Sequence, residues 1–504
     1  MNKMVKKIMP LILLMGLFIL PSYADIVTYE AGVTGDPTMD DSVYEYSEYF
    51  FLTGEPILLT GLAEVESVPT DEDNYDLTYS FELSNADENI VVERDITYEV
   101  TNEKDKVMNQ TIYKAEIDSI DEEITINAVE YVLSSYNFDR SKIIDNTPAV
   151  DYYSGNLYFR RVYYINGDSI ANEGKIVHEI NSISDIGYTH HWGSSETLVL
   201  EHTIDATILS GGENASWTGY ITTKNSSINK KRFKYNETEA QNISFRGSYV
   251  KNNTVENIVQ TTYDLPTVSG TGVNESSRVR AEKNISKDVV TNYESLISPK
   301  IRDIGGHWAE KEIFLLKSLG ILNNSSDYFA PDSQMNRLMF GKAIANALTD
   351  FEALDLTDRV IRDRGRDGNL FDDVAEDDPD YEYYRFLDER GIMTGFPNNL
   401  FYPYGEVTRA QAVQTMINAL GLETLAPSPP YRTVFTDDAA IGDWARDAVY
   451  VASEIGLLSG YPDGSFRPMQ PLTKADGSML LMNFIEHIKD NITVDYREKI
   501  INKY

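Results

Sequence analysis

The feature that most constrains this chain is a threefold echo in its C-terminal part. Residues 329–339 read FAPDSQMNRLM, residues 401–411 read FYPYGEVTRAQ, and residues 466–476 read FRPMQPLTKAD. Each begins Phe-x-Pro, and each carries a cation eight residues after the Phe: Arg337, Arg409 and Lys474. A spacing kept through otherwise diverged segments implies one supersecondary unit built three times. A unit this small buries its apolar face only by packing on its neighbours.

The flanking pattern is helical. Trp444, Ala448, Ala452 and Ile455 fall on one stripe of a first helix, and Gly456 ends it. Arg409, Val413, Met416 and Leu420 repeat the stripe in a second helix that stops at Gly421. Thr408 with Gln411 forms a capping box, Thr473 with Asp476 a weaker one, and Asn336 caps alone. Gly320, Gly391 and Gly456 close the three first helices. Upstream, IRDI, FDDV and FTDD each place Asp303, Asp373 or Asp437 two residues after an apolar one. Trp308 and Trp444 lie twelve residues before their glycines, whereas the middle unit has Pro379 there, with Tyr381 nearby. Loose connectors, 357–369 and the Pro-rich 424–431, separate helix–loop–helix units expected at 300–350, 370–422 and 434–490.

The repeated cation falls at the first helical position, where it opposes the positive end of the helix dipole by roughly 0.3–1 kcal/mol when exposed. Repetition of a like-charged pair is easier to understand if cation and free helix N–H groups together face an anion. The plainer alternative is a charge on a solvated face. Trp308, Trp444, Phe401 and Phe466 are expected chiefly as core or loop-pinning residues, with ligand stacking as a lesser role.

Together, F-x-D, the Trp, G-[IL]-x-x-G, [DN]-G-x-F-x-P and [IVL]-T-[RK]-A-[DE] resemble the S-layer homology family over about residues 300–490. The third unit matches best, with FTDD, Trp444, GLLSGYPDGSFRP and LTKAD; the second has FDDV, GIMTGFPNNLFYP and VTRAQ without the Trp. The resemblance implies an all-α, pseudo-threefold module around a central three-helix bundle. Its inter-repeat grooves would bind secondary cell-wall polysaccharide of Gram-positive bacteria without a covalent bond. A pyruvate ketal would supply the carboxylate that pairs with Arg409, Lys474 and, in the third groove, Arg337. Gly395 and Gly460 would give the sugar room, and Asp303, Asp373, Asp437, Trp308 and Trp444 would shape the walls. The first unit lacks the second Gly and has Met335-Asn336-Arg337 for the Thr-Arg motif, so two working grooves are expected.

The remainder of the 504 residues needs further domains. Lys3, Lys6 and Lys7 before the apolar run 8–20, then PSYA, read as a signal peptide over 1–24 with an exported mature chain that has no transmembrane segment. No cysteine is present, which excludes disulfides and thiolate sites. A net charge of −36 argues against nucleic acid as a partner. Residues 25–295 read as β-rich, expected as sandwich-like antiparallel sheets in two modules. Asn166-Gly167 suggests a tight hairpin with Tyr158, Val162 and Tyr164 on one face, and Gly54-Glu55-Pro56 a turn between two strands. No phosphate loop or G-x-S-x-G elbow occurs. Adjacent His190 and His191 with Glu196 suggest a metal site only weakly, and the Asp71–Asp76 carboxylates read as a solvated loop. The leading expectation is a non-enzymatic surface protein on the cell wall, without cofactor or metal. A wall-anchored carbohydrate-active enzyme and a ligand-free repeat protein are the alternatives, and self-association in a surface layer stays open.

Overall fold

The computed structural model describes residues 32–37, 42–71, 73–105, 107–167, 170, 173–210, 213–237, 247–269, 272–323, 326–349 and 370–492. The expected leader and the 357–369 connector lie outside the described residues. Thirteen strands follow one another: β1 (Val33–Pro37), β2 (Val43–Phe50), β3 (Ile57–Pro69), β4 (Tyr75–Asn85), β5 (Ile90–Asp105), β6 (Gln110–Ile126) and β7 (Val129–Asn146). Next come β8 (Asp151–Ile165), β9 (Gly174–His190), β10 (Gly193–Ser210), β11 (Glu213–Asn236), β12 (Ser248–Ser269) and β13 (Gly272–Ser295). They form a single sheet in sequence order, each strand antiparallel to the next. The sheet curls until β1 lies beside β13, so it is nearly closed. Side-chain amides hold β1 there: Asn225 Nδ2 donates to the Gly32 carbonyl and Asn257 Nδ2 to that of Thr34, both at 3.0 Å.

This corrects the expectation of sandwich-like sheets. Every described link is a hairpin between sheet neighbours, so nothing carries the chain to a second layer. Alternation sets the inside: along β5, Ile90, Val92, Arg94, Ile96, Tyr98 and Val100 are buried, while Val91, Glu93, Asp95 and Glu99 are exposed. Charged residues at interior positions are paired. Arg94 bonds Glu122, the Tyr163 hydroxyl donates to Glu122 at 2.6 Å, and His178 faces His202 at 3.1 Å. The Gly54 turn forms as expected between β2 and β3. The tight turn at Asn166-Gly167 does not, because β8 ends at Ile165 and β9 starts only at Gly174. Tyr158, Val162 and Tyr164 do share a face of β8, and Leu157, Phe159, Arg161 and Tyr163 on the opposite face line the interior.

The repeats fold into α1 (Glu310–Ser318) and α2 (Arg337–Leu348), α3 (Tyr381–Glu389) and α4 (Arg409–Leu420), then α5 (Asp443–Glu454) and α6 (Lys474–Asp490). Each first helix packs on another repeat's second helix: α3 on α2, α5 on α4, and α1 on α6. Backbone bonds link the segments before the second helices in a closed ring. Val407 N–H donates to Met335, Met335 N–H to Leu472, and Leu472 N–H back to Val407, at 2.9–3.0 Å. The apolar core of the helices extends to Trp192, Tyr152 and Leu296 of the β region. Trp192 Nε1 donates to the Ala347 carbonyl at 2.9 Å, and the Tyr152 hydroxyl to that of Ile492 at 3.2 Å.

Candidate functional site

The capping residues work as their sequence positions imply. Thr408 and Thr473 close capping boxes with Gln411 and Asp476, and Asn336 Oδ1 accepts the Met339 N–H at 2.7 Å. The amides beside them are not bare, which corrects the anion-on-amide expectation. Arg337 and Leu338 donate to the carbonyls of Gly405 and Pro403, Arg409 and Ala410 to those of Gln470 and Pro468, and Lys474 and Ala475 to those of Ser333 and Pro331. Each helix start is therefore satisfied by the Phe-x-Pro loop of a neighbouring repeat.

The three cations reach across the same boundaries. Arg337 Nε donates to the Phe401 carbonyl at 2.9 Å, Arg409 Nη2 to Ser459 at 2.8 Å, and Lys474 Nζ to Phe329 at 3.0 Å. Thus repeat one holds repeat two, two holds three, and three holds one. The cations differ in what is left over. Arg337 is 6% exposed, lies over Phe396 and Phe401, and points a second nitrogen at Thr394 O. Burial pulls its guanidinium below the usual arginine range to about 10, against the favourable pull of Asp373. Arg409 is lowered by burial too, but its Nε is enclosed without a hydrogen-bond partner.

Beside Arg409 lies an open groove of about 230 Å³, lined by Trp308, Ser459, Gly460, Tyr461, Asp476 and Asn483 among others. Residues from all three repeats meet in it. The corresponding hollow against α2 is about 160 Å³, and there Lys342 is ion-paired with Asp380 on the wall. Trp308 and Trp444 are 59% and 55% exposed, so neither is the core residue expected, whereas Phe401 and Phe466 are fully buried. Each indole sits at the start of a first helix, and that of Trp308 borders the groove with residues of the other two repeats.

Two further roles are corrected. Asp303, Asp373 and Asp437 each accept two successive backbone N–H bonds: from Phe329 and Ala330, from Phe401 and Tyr402, and from Phe466 and Arg467, at 2.7–2.8 Å. They pin the Phe-x-Pro loops rather than face the groove. The glycines answer to protein packing: a Cβ on Gly395 would come within 2.6 Å of the Phe371 ring, and one on Gly460 within 3.0 Å of Phe435. Gly460 still borders the groove. Tyr461 and Asn483 escaped the sequence reading, and Asp476 entered it only as a capping residue; the signal for Tyr461 was an aromatic residue after the second Gly in two repeats, Phe396 and Tyr461.

In the β region His190, His191 and Glu196 do not converge. His190 accepts the Trp192 N–H, His191 packs edge-on against Trp192, and Glu196 pairs with Lys142 in the sheet interior. Burial, with Lys231 adding to it, pulls His190 down to about 4 and His191 to about 3. Asp71 Oδ1 accepts the N–H groups of Asp73 and Asn74, which makes the acidic stretch a turn. Among the described residues no group of three or more His, Cys, Asp or Glu side chains is placed to hold a metal ion, and no helix is long and apolar enough to cross a membrane.

Fold and groove together define a β-rich protein carrying three interlocked helical repeats, the second helix of each opened by a basic residue that reaches a neighbouring repeat. The repeats are S-layer homology domains: that family matches residues 300–338, 370–413 and 434–476. The chain is similar to cell surface glycoprotein 1 of Acetivibrio thermocellus, 31% identical over 105 residues, covering 20% of this chain and 4% of that protein. It is similar to the cellulosome-anchoring protein of the same organism, 30% identical over 97 residues, 19% of this chain and 22% of that protein. An amylopullulanase of Thermoanaerobacterium thermosulfurigenes is 26% identical over 186 residues, 36% of this chain and 9% of that enzyme. The chain thus spans less than a quarter of these relatives, and the likeness to the enzyme falls in the S-layer homology region. These domains point to a cell-wall or cell-surface location.

Proposed function

We propose that this is an exported, non-enzymatic surface protein. Its pseudo-threefold helical module would hold it without a covalent bond on secondary cell-wall polysaccharide, through a pyruvylated, acidic sugar. The β region is then what the anchor displays. The observation that carries this reading is the Arg409 groove: a guanidinium with an orphaned, enclosed Nε beside a hollow of about 230 Å³, with the exposed Trp308 on its rim. Arginine pairs flatly with a carboxylate, and an exposed indole gives a sugar face an apolar platform. The carboxylate would be recognised by side chain alone, since the helix amides are already engaged. The Arg409 groove is favoured over that of Arg337, whose guanidinium is enclosed.

Arg409→Ala should weaken retention on purified walls by about 10- to 150-fold, the equivalent of roughly 1.5–3 kcal/mol for a lost charge-assisted contact. Sedimentation with walls before and after chemical removal of pyruvate ketals measures it. Binding indifferent to both changes would overturn the reading. Release of reducing sugar from wall or plant polysaccharides by the full chain would instead make it an anchored enzyme.

A further inference from the structure

The Arg409 guanidinium does not stand alone. It lies 5.0 Å from the centroid of the Tyr461 ring and 5.3 Å from that of Phe466. A second guanidinium, Arg467, stacks on Tyr461 at 4.0 Å. Arg467 is itself fixed: its Nη2 donates to Asp463 at 2.8 Å, its Nε to the Ser465 hydroxyl at 3.1 Å, and its backbone N–H to Asp437. The result is a chain of contacts linking Asp463, Arg467, Tyr461, Arg409 and Phe466. Tyr461 borders the groove and Arg467 does not.

The backbone under Tyr461 is pinned as well. Its N–H donates to Ser465 and its carbonyl accepts the Gly464 N–H, at 2.9 and 2.8 Å. The ring's remaining freedom is rotation about its side-chain bonds, and planar cations on its faces restrict that rotation. In the second repeat the same place is taken by Phe396, which packs edge-on against Tyr402 and stacks on the enclosed Arg337. That version has neither a hydroxyl nor a second cation, and its arginine is 6% exposed. The charged stack therefore belongs to the groove that is open.

Resting on the wall-anchoring reading above, we infer that Tyr461 is a second saccharide contact in the Arg409 groove and that Arg467 is the positioning residue that sets its ring. Tyr461 presents an edge and a hydroxyl to the sugar that carries the carboxylate. Arg467 acts only through it, from behind.

The test is a binding series with the full chain and solubilised, ketal-bearing wall polysaccharide, with each variant's melting temperature taken alongside. Tyr461→Ala should lose about 10-fold in affinity and Arg467→Ala about 3- to 10-fold, the range expected for a cation–π contact. Arg467→Lys should not restore binding, because an ammonium has no flat face to stack. The double variant Arg467→Ala/Tyr461→Ala should bind no more weakly than Tyr461→Ala alone. Wild-type affinity in Arg467→Ala, or losses that multiply in the double variant, would overturn the inference. Arg409→Ala in the same series separates the two claims. If it binds like the parent chain, the groove reading itself fails; if it alone weakens binding, the groove stands and the roles of both Tyr461 and Arg467 fall.

Discussion

Ala330, Tyr402 and Arg467 each follow the Phe of a Phe-x-Pro loop, and each has a positive φ, of 55°, 55° and 59°. Left-handed backbone costs a residue with a Cβ roughly 1–2 kcal/mol, so something must hold the loop there. The carboxylates of Asp303, Asp373 and Asp437 do so by accepting the N–H of that residue and of the Phe before it. F-x-D and F-x-P, which read as separate motifs in the sequence, are two halves of one clasp. Ala330→Gly should therefore stabilise the protein by about 0.5–1 kcal/mol, since glycine adopts this conformation without steric cost. A rise of a few degrees in melting temperature checks it, and a fall would mean that the left-handed loop is not where the strain lies.

The second helices were the most legible elements, because their caps and 3.6-residue periodicity agree, joined in α4 by the terminal Gly421. Which groups lie free around them was not legible. The carbonyls that satisfy Arg337 N–H and Leu338 N–H come from Gly405 and Pro403 in another repeat, and no local pattern marks such a pairing. The same holds for Trp444, whose stripe looks buried although its side chain at the helix start is exposed. Arg337 and Arg409, alike in sequence, separate on this ground. Arg337→Ala should cost about 2–4 kcal/mol, as an enclosed side chain bonded to two carbonyls is lost, whereas Arg409→Ala should melt close to the parent chain. Thermal unfolding of the two variants side by side checks it. The β strands were recognisable by alternation, but alternation is common to sandwiches and curled single sheets, so the layer count stayed hidden. Interior histidines on β9 and β10 add a pH dependence. Burial, reinforced for each by Arg161, holds His202 down to about 3 and His178 well below its ordinary value; His178 also feels His202 and Arg94, in a cluster shared with Glu48, Glu122 and Tyr163. The unfolded chain takes up these protons near pH 6.5 and the folded chain does not. Stability should be intact above that value and fall as pH drops toward about 3. Urea midpoints at pH 7.5 and 5.5 check it, and replacing both histidines should shrink the difference, leaving the share of the similarly depressed His190 and His191.

Across the molecule, the charge of −36 takes a particular form. On the outer face of β5 and β6, Glu93 stands opposite Glu123, Asp95 opposite Asp121, and Glu99 opposite Glu116. Like charges directly opposite each other destabilise a sheet, and screening relieves this. Raising NaCl from 10 mM to 0.5 M should therefore raise the melting temperature, and Asp121→Lys should reduce that gain; a salt-independent melt would argue against strain in these ladders. The sheet is also not hung loosely from its anchor. Trp192 and Tyr152 bond to the ends of α2 and to Ile492, and their rings share the helices' core, so the β region has a set attitude to the module that carries it. The circular linkage of the repeats, in which the last unit's Lys474 closes onto the first unit's Phe329, has a mechanical corollary. Tension applied at a single handhold spreads into all three units at once, as in a keyed arch. Cutting away any one of them would open the arch, leaving one of its three cross-links and two open ends.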